Sequence, residues 1–249
     1  MDNGLYKRFY DKIGRLNGWD FSKLKVITEG AAWDFYAEVV SRCKPSDLLL
    51  DIGTGGGEKL LQIADAALLA VGIDHSEPMV ETAKTNRERL GKRHVRFMRM
   101  DAGRLEFPAF FFDVVCARHC GFHAGEAARV LTRDGVFLTQ QVSEGDKRNI
   151  KQAFGRGQYD AAEPGTLLKQ NEAALREAGF ADIQSFVYDA AVYYESVEDL
   201  MFLLTHTPIV PGFGDNPNDL DILRAFVEQN QTERGIRTNE ERFMIIARK

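Results

Sequence analysis

Cysteine is scarce. Cys43, Cys116 and Cys120 are the only three in 249 residues, which excludes a disulfide-framed scaffold and fits a reducing compartment. No apolar run approaches the roughly 20 residues needed to cross a bilayer, and Met1-Asp-Asn-Gly-Leu-Tyr-Lys7 lacks the basic-then-apolar pattern of a signal peptide. A cytoplasmic protein without a membrane partner is therefore expected, as a monomer or homodimer. Excess positive charge is also missing: the net charge of −5 argues against a large polyanionic substrate, because nucleic-acid binding normally requires a basic surface that replaces phosphate counterions. Repeats, low-complexity tracts and linkers are absent, which leaves one domain. Its residues are 44% apolar and 28% charged, enough to bury an α/β core without disulfides or metals.

The informative stretch is Leu48-Leu-Leu-Asp-Ile-Gly-Thr-Gly-Gly-Gly-Glu-Lys-Leu-Leu61. Three leucines before Asp51 read as an interior parallel strand, and Leu60, Leu61, Ala64 and Leu68 return to helical spacing. Gly53, Gly55, Gly56 and Gly57 free the turn between them to bend sharply and offer bare N–H groups to a ligand. The G-x-G-G-G spacing differs from the G-x-G-x-x-G of a dinucleotide-binding turn. A second apolar strand, Ala70-Val-Gly-Ile-Asp74, ends in an acid 23 residues after Asp51, and a third, His94 to Met100, ends at Asp101-Ala102. A carboxylate at the second strand tip can accept both hydroxyls of a ribose.

With three strands ending in acids, the chain resembles the class I S-adenosylmethionine-dependent methyltransferases. The resemblance runs from about Leu48 to Val142, and Glu241 to Lys249 looks like the family's closing strand. It implies a Rossmann-like α/β fold: a seven-stranded sheet, mostly parallel with an antiparallel last strand, and helices on both faces. It also implies S-adenosylmethionine as cofactor, with Asp51, Gly53, Thr54, Gly55 and Gly57 at the methionine part and Asp74 at the ribose. His75 and Met79 fall in the segment against the adenine ring, and Asp101 and Ala102 at the adenine edge. Phe112-Asp-Val-Val-Cys116 resembles the family's fourth strand, and Leu131 to Leu138 the turn into its fifth, where Asp134 replaces the first of two glycines.

Two additions flank this sheet, which takes residues 47–193 and 241–249. Residues 1–46 carry eight aromatics between Tyr6 and Tyr36 and read as a helical cover, with Trp33 to Val40 amphipathic. Within that cover, Tyr6 to Trp19 is expected to act as a lid, and Tyr10 is a candidate catalytic group. Residues 194–240 form a helical insertion in which Ile209, Val210 and Phe213 either line a pocket or pack as a satellite of the core. The basic run Arg87, Arg89, Lys92, Arg93, Arg96 and Arg99 is read as a solvated helix end and strand edge, an RNA-facing patch being the alternative.

A sulfonium methyl donor is already activated, so alignment supplies much of the catalysis, up to about 7–11 kcal/mol for well-oriented reactants. A base is needed only where the nucleophile must lose a proton; His119 and His123, beyond the fourth strand, are the candidates. The cluster Cys116, His119, Cys120, His123 has zinc-ligand chemistry, but Cys116 sits in a buried strand and no metal is expected. No N-P-P-Y-like segment follows the fourth strand, which weakens amino-methylation of nucleobases or glutamine. The expected acceptor is a small-molecule metabolite, with ribosomal or transfer RNA second. A nicotinamide-dependent oxidoreductase and a non-catalytic S-adenosylmethionine-binding protein are the competing readings.

Overall fold

The structure, a computed structural model, describes residues 24–159 and 162–249. Its centre is one sheet whose parallel strands are β2 (Leu48–Ile52), β3 (Leu69–Asp74), β4 (Val95–Arg99), β5 (Phe112–Arg118) and β6 (Leu131–Val142). β9 (Gly235–Arg248) runs antiparallel between β6 and β7 (Asp182–Tyr194), and β1 (Val26–Glu29) adds antiparallel to β7. The order is β1-β7-β9-β6-β5-β2-β3-β4, with the two-residue β8 (Gln231–Thr232) paired to β9. The expected seven strands are thus nine. β1 lies within the stretch read as helical cover, and β8 only turns the chain back into β9. The antiparallel last strand is as expected, but it starts at Gly235, earlier than the apolar run Phe243 to Ala247 indicates. Polar residues such as Arg237, Asn239 and Glu240 disguise its first half.

Strand alternation sends side chains to two cores. Leu50, Ile52, Val115, Ala117, Phe137 and Ile245 face α4 (Ala124–Val130) and α6 (Thr166–Glu177). Leu49, Val114, Cys116, Leu138, Met244 and Ile246 face α1 (Phe35–Val40), α2 (Glu58–Ile63) and α3 (Glu77–Leu90). β2, β3 and β5 are buried on both faces because both are covered, which is why they read as nearly continuous apolar runs. α3 ends where the sequence indicates, at Gly91 in the left-handed region with φ 64°, with Arg87 and Arg89 in the last turn. At Asp134-Gly135 the expected turn is an irregularity within β6: the register jumps from Phe112 opposite Leu131 to Val114 opposite Val136.

The late insertion builds a third cluster. α7 (Val197–His206), α8 (Asp219–Asn230) and α5 (Arg148–Phe154) pack Leu200, Leu204, Leu223, Phe226, Ile150 and Phe154 against the ends of β7 and β9. Ile209 and Val210 are buried in it, and Phe213 sits edge-on to Phe154 at 5.7 Å. Their apolar side chains thus pack as a satellite of the core.

Candidate active site

Strand order reverses between β2 and β5, the place in an open α/β sheet where a crevice forms beyond the C-terminal strand ends. There the glycine turn leaving β2 meets the residues leaving β5. Gly53 has φ 71°, and a Cβ on it would lie 2.5 Å from the Cys120 Sγ; the Cys120 thiol reaches the Ile52 carbonyl at 3.0 Å. Gly57, φ 76°, faces the Phe97 ring, which a Cβ would meet at 2.5 Å. These two glycines are therefore required by close approach as well as by backbone geometry. Between them lie Thr54 and the buried Gly55.

Asp51 is 1% exposed in β2. Its Oδ1 accepts from the Cys116 thiol at 3.3 Å, while its Oδ2 and the Thr54 Oγ1 are buried with no protein hydrogen bond. Burial pushes the Asp51 carboxyl up to about 6, against the nearby Thr54 hydroxyl, the Cys116 thiol and the charge of Arg118. Buried polar atoms of this kind cost free energy unless a partner satisfies them. They therefore fit a ligand that brings polar groups to the glycine turn, as the methionine part of S-adenosylmethionine does.

Asp74 caps β3. Its Oδ2 accepts from Gly55 N at 3.0 Å and its Oδ1 from Ser76 N at 2.9 Å. The carboxylate thus locks the glycine turn to the start of α3 and keeps spare lone pairs for a ligand. Burial raises its pKa, opposed by those backbone donors. His75 is exposed next to it, Nδ1 3.6 Å from Asp74 Oδ1. Met79 is only 1% exposed, inside the fold on α3. Asp101 is exposed and accepts from Gly103 N at 2.7 Å; Ala102 is half-buried against the first core.

The histidines separate. His119 follows β5 with φ 54°, uncommon for a residue with a side chain, and its N–H donates to the Gln140 carbonyl at 2.8 Å. The Gln140 side chain joins two partners: its Oε1 accepts from Trp33 Nε1 at 2.7 Å, and its Nε2 lies 3.0 Å from His119 Nε2. With the amide donating, the imidazole proton is placed on Nδ1. Burial, helped by Arg118 and Arg242, holds the His119 pKa well below the usual histidine range, so the ring is neutral. His123 is exposed and caps α4, its Nδ1 accepting from Glu126 N at 3.2 Å. Tyr10 and the segment Tyr6 to Trp19 lie outside the described residues.

Sequence reasoning missed Trp33, Tyr36, Arg118 and Gln140 as neighbours of this crevice. Trp33 packs edge-on to Tyr188 at 4.5 Å, and the Arg118 guanidinium sits 5.7 Å from the Tyr36 ring centroid. The signal for Arg118 was its place directly after an apolar strand; Gln140 lies in a strand, and Trp33 and Tyr36 looked like ordinary helix packing. No group of three or more His, Cys, Asp or Glu among the described residues is placed to hold a metal. In the basic run, Arg87, Lys92 and Arg99 are paired with Glu88, Asp65 and Glu77. No helix among the described residues is long and apolar enough to cross a membrane.

Residues 49–135 match a family described as "Methyltransferase domain". An uncharacterized methyltransferase, YcgJ of Bacillus subtilis (strain 168), is 32% identical over 121 residues, 46% of this chain. The match spans about half of that relative, 47% of its length. The crystal structure of YcgJ superposes with a TM-score of 0.59 at 21% identity, covering 86% of this chain and 98% of that one. The [4+2]-cyclase SpnF gives 0.62 at 20% identity over 98% and 95%. Phosphoethanolamine N-methyltransferase 2 of Haemonchus contortus, in complex with phosphomonomethylethanolamine and S-adenosylhomocysteine, gives 0.56 at 20% identity over 100% and 58%. The resemblance to class I methyltransferases and the Rossmann-like α/β fold drawn from the sequence are both borne out.

Proposed function

We propose that this protein is an S-adenosylmethionine-dependent methyltransferase acting on a small-molecule acceptor. The observation that carries the reading is the glycine turn at the sheet's switch point, where Asp51 Oδ2 and Thr54 Oγ1 are buried without partners while Asp74 fixes Gly55 and Ser76. In this reading Asp51, Gly53, Thr54, Gly55 and Gly57 hold the methionine part, Asp74 the ribose, His75 the adenine face, and Asp101 and Ala102 the adenine edge. Methyltransferase relatives, one of them in complex with S-adenosylhomocysteine, support the choice of cofactor.

When bound, the cofactor supplies an activated methyl group for in-line displacement. The chain's own contribution is alignment and exclusion of water. His119 is neutral, with its Nε2 lone pair taken by the Gln140 amide that also holds Trp33, so it acts as a base only once that contact is released. His123 is already engaged as a helix cap. The pairing of Arg87, Lys92 and Arg99 with carboxylates supports a small acceptor over RNA.

Calorimetric titration with S-adenosylmethionine, S-adenosylhomocysteine and NAD is the direct test. Binding of the first two and none of NAD is expected; the reverse removes the reading. Labelling a cell extract with isotopically marked methyl donor and sizing the product then separates a small acceptor from RNA or protein.

A further inference from the structure

Arg118 stands apart from every other half-buried or buried arginine among the described residues. Arg42, Arg87, Arg129, Arg156 and Arg242 each pair with a carboxylate. The Arg118 guanidinium forms no ion pair and no hydrogen bond with any described residue, and its Nε is fully buried without a partner. Its one contact of note is the Tyr36 ring, at 5.7 Å. A buried guanidinium nitrogen without a hydrogen-bond partner is costly, and an anionic oxygen is the partner that suits it best.

Its position decides what that partner belongs to. Arg118 is the last residue of β5, two along from Cys116, whose thiol touches Asp51, and opposite Gln140 in β6. It is adjacent to His119 and two residues before Cys120, which packs on Gly53. The Tyr36 ring lies on one side, 5.7 Å from the guanidinium, and Trp33 reaches Gln140. The cation therefore sits at the C-terminal end of β5, beside His119 and next to the Cys120 that packs on the glycine turn.

We infer that Arg118 recognises the methyl acceptor through an anionic oxygen group, a carboxylate or a phosphate ester, so that the substrate is a small organic anion. The inference rests on the methyl-transfer reading and adds the class of substrate. The planar fork of arginine suits either group through paired N–H donors. Binding there also supplies the partner that the buried Nε lacks. Arg118 affects ionisation around it in the same sense, opposing the rise of the Asp51 and Tyr36 pKa values and lowering that of His119.

The test starts with S-adenosylhomocysteine titrated into the full-length protein; no binding would remove the methyl-transfer reading itself. With binding intact, a metabolite extract is split on an anion exchanger and each fraction is offered isotopically labelled S-adenosylmethionine. Acceptor activity is expected in the retained fraction. It should fall by about tenfold or more with Arg118→Gln and recover in part with Arg118→Lys, as a lost charge-assisted contact requires. Both variants should keep S-adenosylhomocysteine affinity within about threefold of the unmodified protein, well under the roughly tenfold expected of one lost bond. Acceptor activity in the flow-through or in neither fraction, or undiminished labelling by Arg118→Gln, overturns the inference while the cofactor result stands. Phosphatase treatment of the retained fraction distinguishes the sources, since a phosphate ester loses acceptor activity and a carboxylate keeps it.

Discussion

Asp74 carries two duties that the sequence presents as one. Its carboxylate holds Gly55 N and Ser76 N, and its remaining lone pairs serve the proposed ribose contact. Asp74→Ala should weaken S-adenosylhomocysteine binding by about 10- to 150-fold, the equivalent of roughly 1.5–3 kcal/mol. It should also lower the melting temperature, because two backbone donors lose their acceptor. An unchanged dissociation constant in calorimetry would take Asp74 out of the ribose site. His119 and Asp51 give the crevice opposed pH responses. The folded His119 pKa is held below its unfolded value of about 6.5. As pH falls through that value the unfolded chain binds a proton that the folded one does not, and stability is lost. Asp51, raised to about 6, does the reverse: the folded state binds the extra proton, so its burial destabilises less as pH falls from about 6 toward 4. Replacing His119 with Gln removes the first response only. Its melting temperature should therefore drop less between pH 7 and pH 5 than that of the unmodified protein; an equal drop would mean that folded His119 takes up the proton.

The element that matters most is the turn between β2 and α2. Its tightness is set by positive φ values and by what packs against it, Cys120 on Gly53 and Phe97 on Gly57. Gly53→Ala adds a left-handed strain of order 1–3 kcal/mol and drives a methyl into the Cys120 side chain. Unfolding in urea should report a loss of at least about 1 kcal/mol, with a parallel loss of S-adenosylhomocysteine affinity; full stability and affinity would show that the turn relaxes freely. The β7–β9 hairpin is the other telling element. Thirteen residues of β7 register against β9 from Asp182↔Arg248 to Tyr194↔Ile236, so the two strands form a ladder that extends past the sheet and carries the insertion's helices.

Across the whole molecule, a buried ionic group ties the segment after β6 to β7 and β9. Arg242 of β9, 7% exposed, pairs with Asp146 beyond β6 and with Glu240. The Tyr188 hydroxyl donates to Glu240 at 2.9 Å, and Lys147 Nζ donates to the Asn239 carbonyl at 2.9 Å. Such a group specifies geometry more than it stabilises, yet breaking it strands a charge. Asp146→Ala should cost about 3–5 kcal/mol in denaturant unfolding; a loss below about 1 kcal/mol, the range of an exposed pair, would mean that water reaches Arg242.

The sequence by itself determined the parallel strands and the glycine turn, because both are local: an apolar run covered on two faces and a cluster of residues without Cβ atoms are read within a few positions. It also determined the end of α3 at Gly91 and placed acids at three strand tips. Tertiary structure alone decided that β1 pairs with β7, since Val26-Ile-Thr-Glu29 has no period that distinguishes an edge strand from a loop. It decided that Ile209 and Val210 belong to a satellite core, that His123 caps a helix while His119 meets Gln140, and that Arg118 forms no ion pair with any described residue while acting on Asp51 and Glu240 at longer range. Each of these depends on which distant side chain arrives at a given point, Trp33 and Gln140 being 107 positions apart, and pairing over such separations is fixed by how the sheet closes and not by spacing along the chain.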